Sequence, residues 1–360
     1  MSKEIQQIIE KLGSLESGEK AILATVVDVA GSGYRRPGAR MLIDRNGYGI
    51  GTVSGGCLEA DVLERAKTVL QTGAPTVITY DTTNDEDSVF GLGMGCRGIV
   101  RILLEPIDQR SDFLTFVAAS LDRREACRIT TLIDPHETNL KIGARLFEDR
   151  TKVFSNDFSA DEIREANDLR EEASAVKRSS FGEVFIETLK PPLNLLLFGA
   201  GYDALPLLKF AKELGWRNLV VDHRPAYANA ARLTDADEIF AAGIEALDDA
   251  FFADENSVAV IMTHNYDRDR GILPRLLDSN CLYVGALGPK KRTEKILAEI
   301  GAELSAEQLK KLHAPVGLDL GAETPESIAL SIVAEIQAVL AGRSAGFLRE
   351  RKGSIYGRSD

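Results

Sequence analysis

Leu195-Leu196-Leu197-Phe198-Gly199-Ala200-Gly201-Tyr202-Asp203-Ala204-Leu205-Pro206 is the stretch that decides the fold. A short apolar run bounded by glycine, with Leu193 just ahead of it, suits a buried parallel strand. Gly199, Gly201 and Ala204 stand at the spacing G-x-G-x-x-A. The first glycine permits a tight turn, the second lets a phosphate approach the backbone, and the small third residue lets a helix pack on the strand. Leu205, Leu208, Ala211 and Leu214 keep helical spacing up to a stop at Gly215. A second apolar run, Leu219–Val221, ends at Asp222, where a ribose-binding carboxylate belongs in a dinucleotide fold.

Strand, glycines, helix, strand and acid in that order predict a Rossmann-like mononucleotide-binding half. A fold does not fix its ligand, and a repurposed pocket satisfies the same pattern. Asp222 suits a free ribose hydroxyl and Arg224 suits a phosphate, so NAD and NADP both stay open. The α/β alternation continues with strands at Glu238–Phe240, Val258–Met262 and Cys281–Val284, and with a short helix over Tyr227–Leu233. Thr324 caps a closing helix that has Pro325 in its first turn. Its apolar stripe is Ile328, Ile332, Val333, Ile336 and Leu340. His264 follows the Val258–Met262 strand at its carboxyl end, where open parallel sheets bind ligands. It reads as an acid, a base, a hydrogen-bond donor or a satisfied loop histidine. Lys290, Lys291 and Arg292 beside Gly288 read as an anion contact or a solvated face.

The first half has a different texture. An amphipathic helix is expected over Glu4–Leu15 and a strand over Ile22–Val29. A loop with two arginines follows, Gly31–Gly38, whose backbone can bend around an anion while Arg35 or Arg36 supplies charge. A solvated hairpin loop is the alternative. Asn46-Gly47 is a strong turn signal between Ala39–Asp44 and Tyr48–Val53. In Ser54-Gly55-Gly56-Cys57-Leu58-Glu59, two glycines precede a helix expected to about Leu70, so Cys57 falls near a helix N-terminus. A thiolate is favoured there, although burial is the commoner fate of a free cysteine. Gly91–Gly98 is a second glycine-rich loop, and it carries Cys96. Cys127 lies inside a strand and reads as packing. Ser159–Lys177 reads as a charged helix, a connector or lid. The expected fold class is therefore α/β. A mixed α+β domain over residues 1–190 precedes a Rossmann-like doubly wound parallel sheet over residues 191–360, and Pro191-Pro192 marks the boundary.

The 360 residues suit two domains. A net charge of −12 argues against a nucleic-acid partner, because no basic face gathers phosphates. No apolar run approaches the roughly 20 residues that span a bilayer, and the first residues lack an apolar signal core. No membrane association and a cytoplasmic location are expected. The four cysteines are scattered with no C-x-x-C, which argues against a disulfide framework or a closed zinc site.

Taken in order, Gly31–Ala39, Ser54–Glu59, Gly91–Gly98, Gly199–Pro206, Asp222–Pro225, Met262–His264, Tyr283–Gly285 and His313–Pro325 resemble the XdhC/CoxI family of accessory proteins for molybdenum hydroxylases. The chain departs from the family pattern at Arg97, where glycine is expected, and at Asn265, where aspartate is expected. The resemblance implies binding of the molybdenum cofactor, a pterin dithiolene bearing a phosphate. It also implies a cysteine desulfurase that supplies sulfur, delivery to an apo molybdenum hydroxylase, and a homodimer. On that reading Cys57 touches the cofactor and its metal, and Cys96 comes second. Gly55, Gly56, and Arg35 or Arg36 meet its phosphate. Gly199, Gly201, Ala204, Asp222 and His264 form the Rossmann pocket, which takes the nucleotide-like end or a separate NAD(P). An NAD(P)-dependent oxidoreductase and a thiol-based redox or interaction protein are the competing classes.

Overall fold

The computed structural model describes residues 3–31, 33–81, 98–169, 174–252, 254–301 and 304–352. The chain divides into two compact units, Met1–Pro191 and Pro192–Asp360.

In the first unit, helix α1 (Lys3–Gly13) buries Ile5, Ile8 and Leu12 along one face. Strands β1 (Ala21–Gly31), β2 (Arg40–Ile43) and β3 (Gly49–Gly51) lead to α2 (Glu59–Thr72), β4 (Thr76–Asp81) and β5 (Gly98–Ile107). Then come α3 (Asp112–Asp122), β6 (Cys127–Pro135), β7 (Arg145–Glu148), β8 (Val153–Phe154), α4 (Ala160–Asp168), β9 (Ala175–Ser179) and β10 (Gly182–Leu189). The strands form two antiparallel sheets, ordered β3-β2-β1-β5-β4 and β8-β7-β6-β10-β9. The β2–β3 hairpin turns at Asn46-Gly47, with Gly47 at φ +80°, as its sequence demands.

Charge stitches these two sheets together. Arg40 on β2 is paired with Glu187 on β10, and each side chain is only 2% exposed. Arg145 on β7 grips both carboxylate oxygens of Glu105 on β5. The ring centroid of Phe113 from α3 lies 5.2 Å from each guanidinium carbon, so one aromatic ring serves both cations.

The charged helix expected over Ser159–Lys177 is shorter than that. Ser159 caps α4 in a reciprocal pair with Glu162, and the helix ends at Asp168. Ala175–Ser179 instead pairs with β10 as an edge strand. Few apolar residues were available to carry the helical face further. Ala166 alone is buried on α4.

The second unit runs β11 (Asn194–Phe198), α5 (Ala204–Glu213), β12 (Arg217–Val221), β13 (Glu238–Phe240), β14 (Ser257–Ile261), α6 (Tyr266–Asp278), β15 (Tyr283–Ala286), α7 (Lys290–Ile300), α8 (Ala306–Lys311), β16 (Leu312–His313) and α9 (Pro325–Leu340). All strand pairs are parallel, in the order β13-β12-β11-β14-β15-β16. Counted within the unit this is the 3-2-1-4-5-6 order of a doubly wound dinucleotide fold. Side-chain alternation along β11 sorts the two faces. Leu195 and Leu197 pack with Leu207, Leu208, Ile332 and Ile336 from α5 and α9. Leu196 and Phe198 pack with Ile272, Leu276 and Ile296 from α6 and α7.

Two local expectations are corrected in this unit. Residues 227–233 form turns and no helix. There the Asn229 side chain accepts from Arg232 N and donates to Ala226 O, which is local bonding that competes with a helix. The buried stripe of α9 ends at Ile336, and Leu340 is 38% exposed.

Candidate functional site

In the first unit the glycine-rich turn is organised by Glu59, the first residue of α2. Its carboxylate accepts from Ser54 N at 2.9 Å and Gly56 N at 2.8 Å, and from Val53 N and Gly55 N at 3.2 Å. The hydroxyls of Thr52 and Ser54 donate to it as well. Gly55 at φ +92° and Gly56 at φ +116° curl these N–H groups to one point, a conformation that other residues adopt only under strain. The result is an anion nest whose anion is the chain's own. Burial pushes the Glu59 carboxyl up, but the hydroxyl and N–H donors outweigh it and hold the group at about 2.

The turn meets the arginine loop. A Cβ on Gly55 would stand 2.7 Å from the Tyr34 ring, so the two loops touch at that glycine. Arg35 does not point free charge at this turn: its guanidinium is paired with Glu4 of α1, which also accepts from Arg40 N at 3.0 Å. Arg36 is half-buried, and its carbonyl closes the loop on Ala39 N at 3.0 Å. Cys57 stands one residue ahead of Leu58, the cap residue of α2, and is exposed. Cys127 and Cys281 are buried, and burial pushes the Cys127 thiol up to about 11, as for a packing residue. Cys96, with the rest of the 91–97 loop including Arg97, lies outside the described residues.

The second unit presents the carboxyl ends of β11, β12 and β14. Gly199 at φ +111° brings the first loop against the last; a Cβ there would lie 2.4 Å from Met262 O. Ala204 opens α5 fully buried, as close helix–strand packing requires. The Asp222 carboxylate is committed within the protein. It accepts from Ala200 N at 2.8 Å and from Arg224 through N at 2.9 Å, Nε at 2.9 Å and a terminal nitrogen at 2.6 Å. Its side chain is 2% exposed. Burial opposes the charge, yet Arg224 and the Ala200 N–H hold the carboxyl at about 2. Arg224 itself lies 3.9 Å over the Tyr227 ring. Beside it is a cleft of about 20 Å³ lined by Gly199, Asp222, Arg224, Gly243, Thr263 and Arg268, with room for little more than a water.

Where the strand order reverses, between β11 and β14, Asp203 Oδ2 lies 2.7 Å from His264 Nε2. Asp203 holds the cap position of α5 but makes no side-chain cap bond, and its carboxylate turns across the switch point instead. Gly201 leaves room for this, because a Cβ would meet Asp203 Oδ1 at 2.4 Å. His264 sits at φ +56°, an unusual backbone for a residue with a Cβ. Its neighbours hold it there. Thr263 donates to Asp269, and Asn265 caps α6 by accepting from Arg268 N at 3.1 Å. Asn265 thus caps α6 as an aspartate would. Burial pushes the Asp269 carboxyl up, against the pull of Thr263 and Arg292. Arg292 is therefore turned inward onto Asp269, while Lys290 and Lys291 are exposed. Sequence reasoning missed the roles of Glu59, Asp203 and Asp269: Glu59 bonds a turn only three to seven residues ahead of it, a local signal at a helix start, whereas Asp203 meets a loop 61 residues away and Asp269 pairs with Arg292 23 residues on.

Among the described residues, no group of three or more His, Cys, Asp and Glu stands close enough to hold a metal ion. No described helix is long and apolar enough to cross a membrane.

Two family models match: the XdhC and CoxI family over residues 14–81 and the XdhC Rossmann domain over residues 195–336. A probable xanthine dehydrogenase subunit from Bacillus subtilis is 34% identical over 326 residues, covering 89% of this chain and 94% of that protein. The chain belongs to the XdhC and CoxI family. A second relative, the molybdenum cofactor insertion chaperone PaoD of Escherichia coli, is 24% identical and covers 91% of this chain and 85% of its own length. A crystal structure described as a xanthine dehydrogenase from Bacillus halodurans superposes with a TM-score of 0.77 at 30% identity. It covers 96% of this chain and 97% of that one. The parallel six-stranded sheet of the second unit falls within the residues matched by the XdhC Rossmann domain.

Proposed function

We propose that this protein is an accessory factor of a molybdenum hydroxylase of the xanthine dehydrogenase type. It carries the molybdenum cofactor as cargo, keeps it while a cysteine desulfurase supplies sulfur, and hands it to the apoenzyme. Membership of the family and the described roles of its relatives support the coarse reading. The single observation that carries the finer one is Cys57, an exposed thiol beside a turn that Glu59 has fixed. A soft sulfur ligand suits molybdenum or its sulfur. Presentation on a rigid turn reduces the ordering cost of binding.

Because the nest of residues 53–56 is filled by Glu59, the phosphate of the cargo is not assigned to Gly55 and Gly56. NAD(P) has no part in the proposal either, since Asp222 is spent on Ala200 and Arg224. A homodimer in the cytoplasm, with Cys96 as a second thiol, completes the reading. The test is to purify the protein from a molybdate-fed host and measure bound molybdenum and the oxidised pterin's fluorescence. Stoichiometric cofactor that transfers to apo-hydroxylase is expected. Protein free of pterin under those conditions, and inert toward apoenzyme, overturns the proposal.

A further inference from the structure

The Asp203–His264 pair is not explained by cargo contact at Cys57, and its chemistry is unlike that of an ordinary dinucleotide crevice. In such a crevice the diphosphate sits at the first helix's N-terminus, on free N–H groups. Here a carboxylate stands at that position, at the cap of α5, and opposes a second anion. Asp203 can only accept hydrogen bonds, so His264 Nε2 is the donor between them. That bond uses one of about four acceptor positions on the carboxylate. Asp203 Oδ1 takes no hydrogen bond among the described residues, and the side chain is 17% exposed. The strained His264 backbone, fixed by Thr263 and Asn265, orients the pair. Tyr202, the adjacent residue, is 72% exposed and offers a ring on which a planar ligand can stack.

A carboxylate fixed through one oxygen and open at the other, next in sequence to an exposed tyrosine, matches a planar heterocycle that presents two parallel N–H donors. We infer that Asp203, at the exposed switch point of the second unit, binds a 2-amino-4-oxo-pyrimidine edge. The ring N–H and the 2-amino group donate to Asp203, while His264 holds that carboxylate in place. Pterins and guanine share this edge. The inference rests on the proposed function only in taking a pterin as its natural bearer, and it concerns this unit alone. Asp203 is the binding residue and His264 a positioning residue.

The experiment is calorimetric titration of the full chain with pterin, guanosine, inosine, adenosine and NADH. Inosine lacks the amino group and is expected to bind at least roughly tenfold more weakly than guanosine, because its loss leaves a charged acceptor unpaired. Pterin is expected to bind at least as well as guanosine, and NADH more weakly than either. Asp203→Asn should abolish the guanosine–inosine difference, and His264→Ala should reduce it. Asp203 makes no cap bond, so folding of the variant is expected to survive. The guanosine–inosine ratio of the unaltered protein needs no variant at all. Equal binding of guanosine and inosine, or NADH binding tighter than pterin, overturns the inference. Guanosine favoured over pterin, with inosine still rejected, upholds the edge and removes pterin as its bearer. None of these results bears on cofactor carried through Cys57.

Discussion

Gly56 N donates to the Glu59 carboxylate across 2.8 Å, three residues back from the start of the helix that Glu59 opens. The bond closes the turn just ahead of Cys57, and three more backbone N–H groups converge on the same carboxylate. The glycine-rich turn is therefore a finished structure before any ligand arrives. What it offers to the outside is the next residue's thiol.

Glu59→Gln should lower stability by about 1.5–3 kcal/mol, the range for hydrogen bonds to a charged group. The pH dependence has a definite sign. The carboxyl lies at about 2 in the folded protein against 4.5 ordinarily. Its contribution is full above about 4.5 and is lost as pH falls toward 2. Thermal melts between pH 6 and pH 2 check this: the acid-side fall in Tm should be shallower in the variant than in the parent.

Arg40 and Glu187 are each 2% exposed and face one another between two sheets. Removing one partner strands a buried charge, at a cost of about 3–5 kcal/mol. Glu187→Gln and Arg40→Met should each show it in urea unfolding. The double replacement Arg40→Met with Glu187→Leu should recover most of the loss, because apolar residues of similar volume leave no charge behind.

Two glycines should respond oppositely to alanine. Gly199 at φ +111° has Met262 O where a Cβ would go, at 2.4 Å, so Gly199→Ala has to move backbone in the crevice. A loss of more than about 2 kcal/mol is expected, beyond the ordinary penalty for a left-handed position. Gly13, at the end of α1, has nothing within 4 Å of the place a methyl group would take. Gly13→Ala should stabilise by about 0.4–1 kcal/mol. Midpoints of urea unfolding distinguish the two.

The sequence carried the Rossmann half almost whole, and the reason is physical. Apolar runs such as Leu195–Phe198 and Val258–Ile261 are buried on both faces, and Gly199, Gly201 and Ala204 stand where backbone, Asp203 and strand leave little space. Such constraints act on neighbouring residues, so spacing records them. The Asn46-Gly47 hairpin was legible for the same reason. Asp222 was found at the right position, but its use was not legible. Whether a carboxylate meets a ribose or its own Arg224 depends on a rotamer and not on a place in the chain. The cross-sheet pairs of Arg40 with Glu187 and Arg145 with Glu105 join residues more than a hundred and about forty positions apart, respectively, and no local pattern announces them. The same holds for Asp203 and His264, which only the parallel pairing of β11 with β14 brings together.

Cys57 is the residue on which the functional reading turns. The most direct measurement is the molybdenum and pterin content per chain of protein purified from a molybdate-fed host, for the parent, Cys57→Ser, Cys127→Ser and Cys281→Ser. The parent and the two buried-cysteine variants are expected to carry equal cofactor, while Cys57→Ser loses at least roughly tenfold in affinity, as a metal-directed thiolate would. Full cofactor content and unchanged affinity in Cys57→Ser would contradict the account.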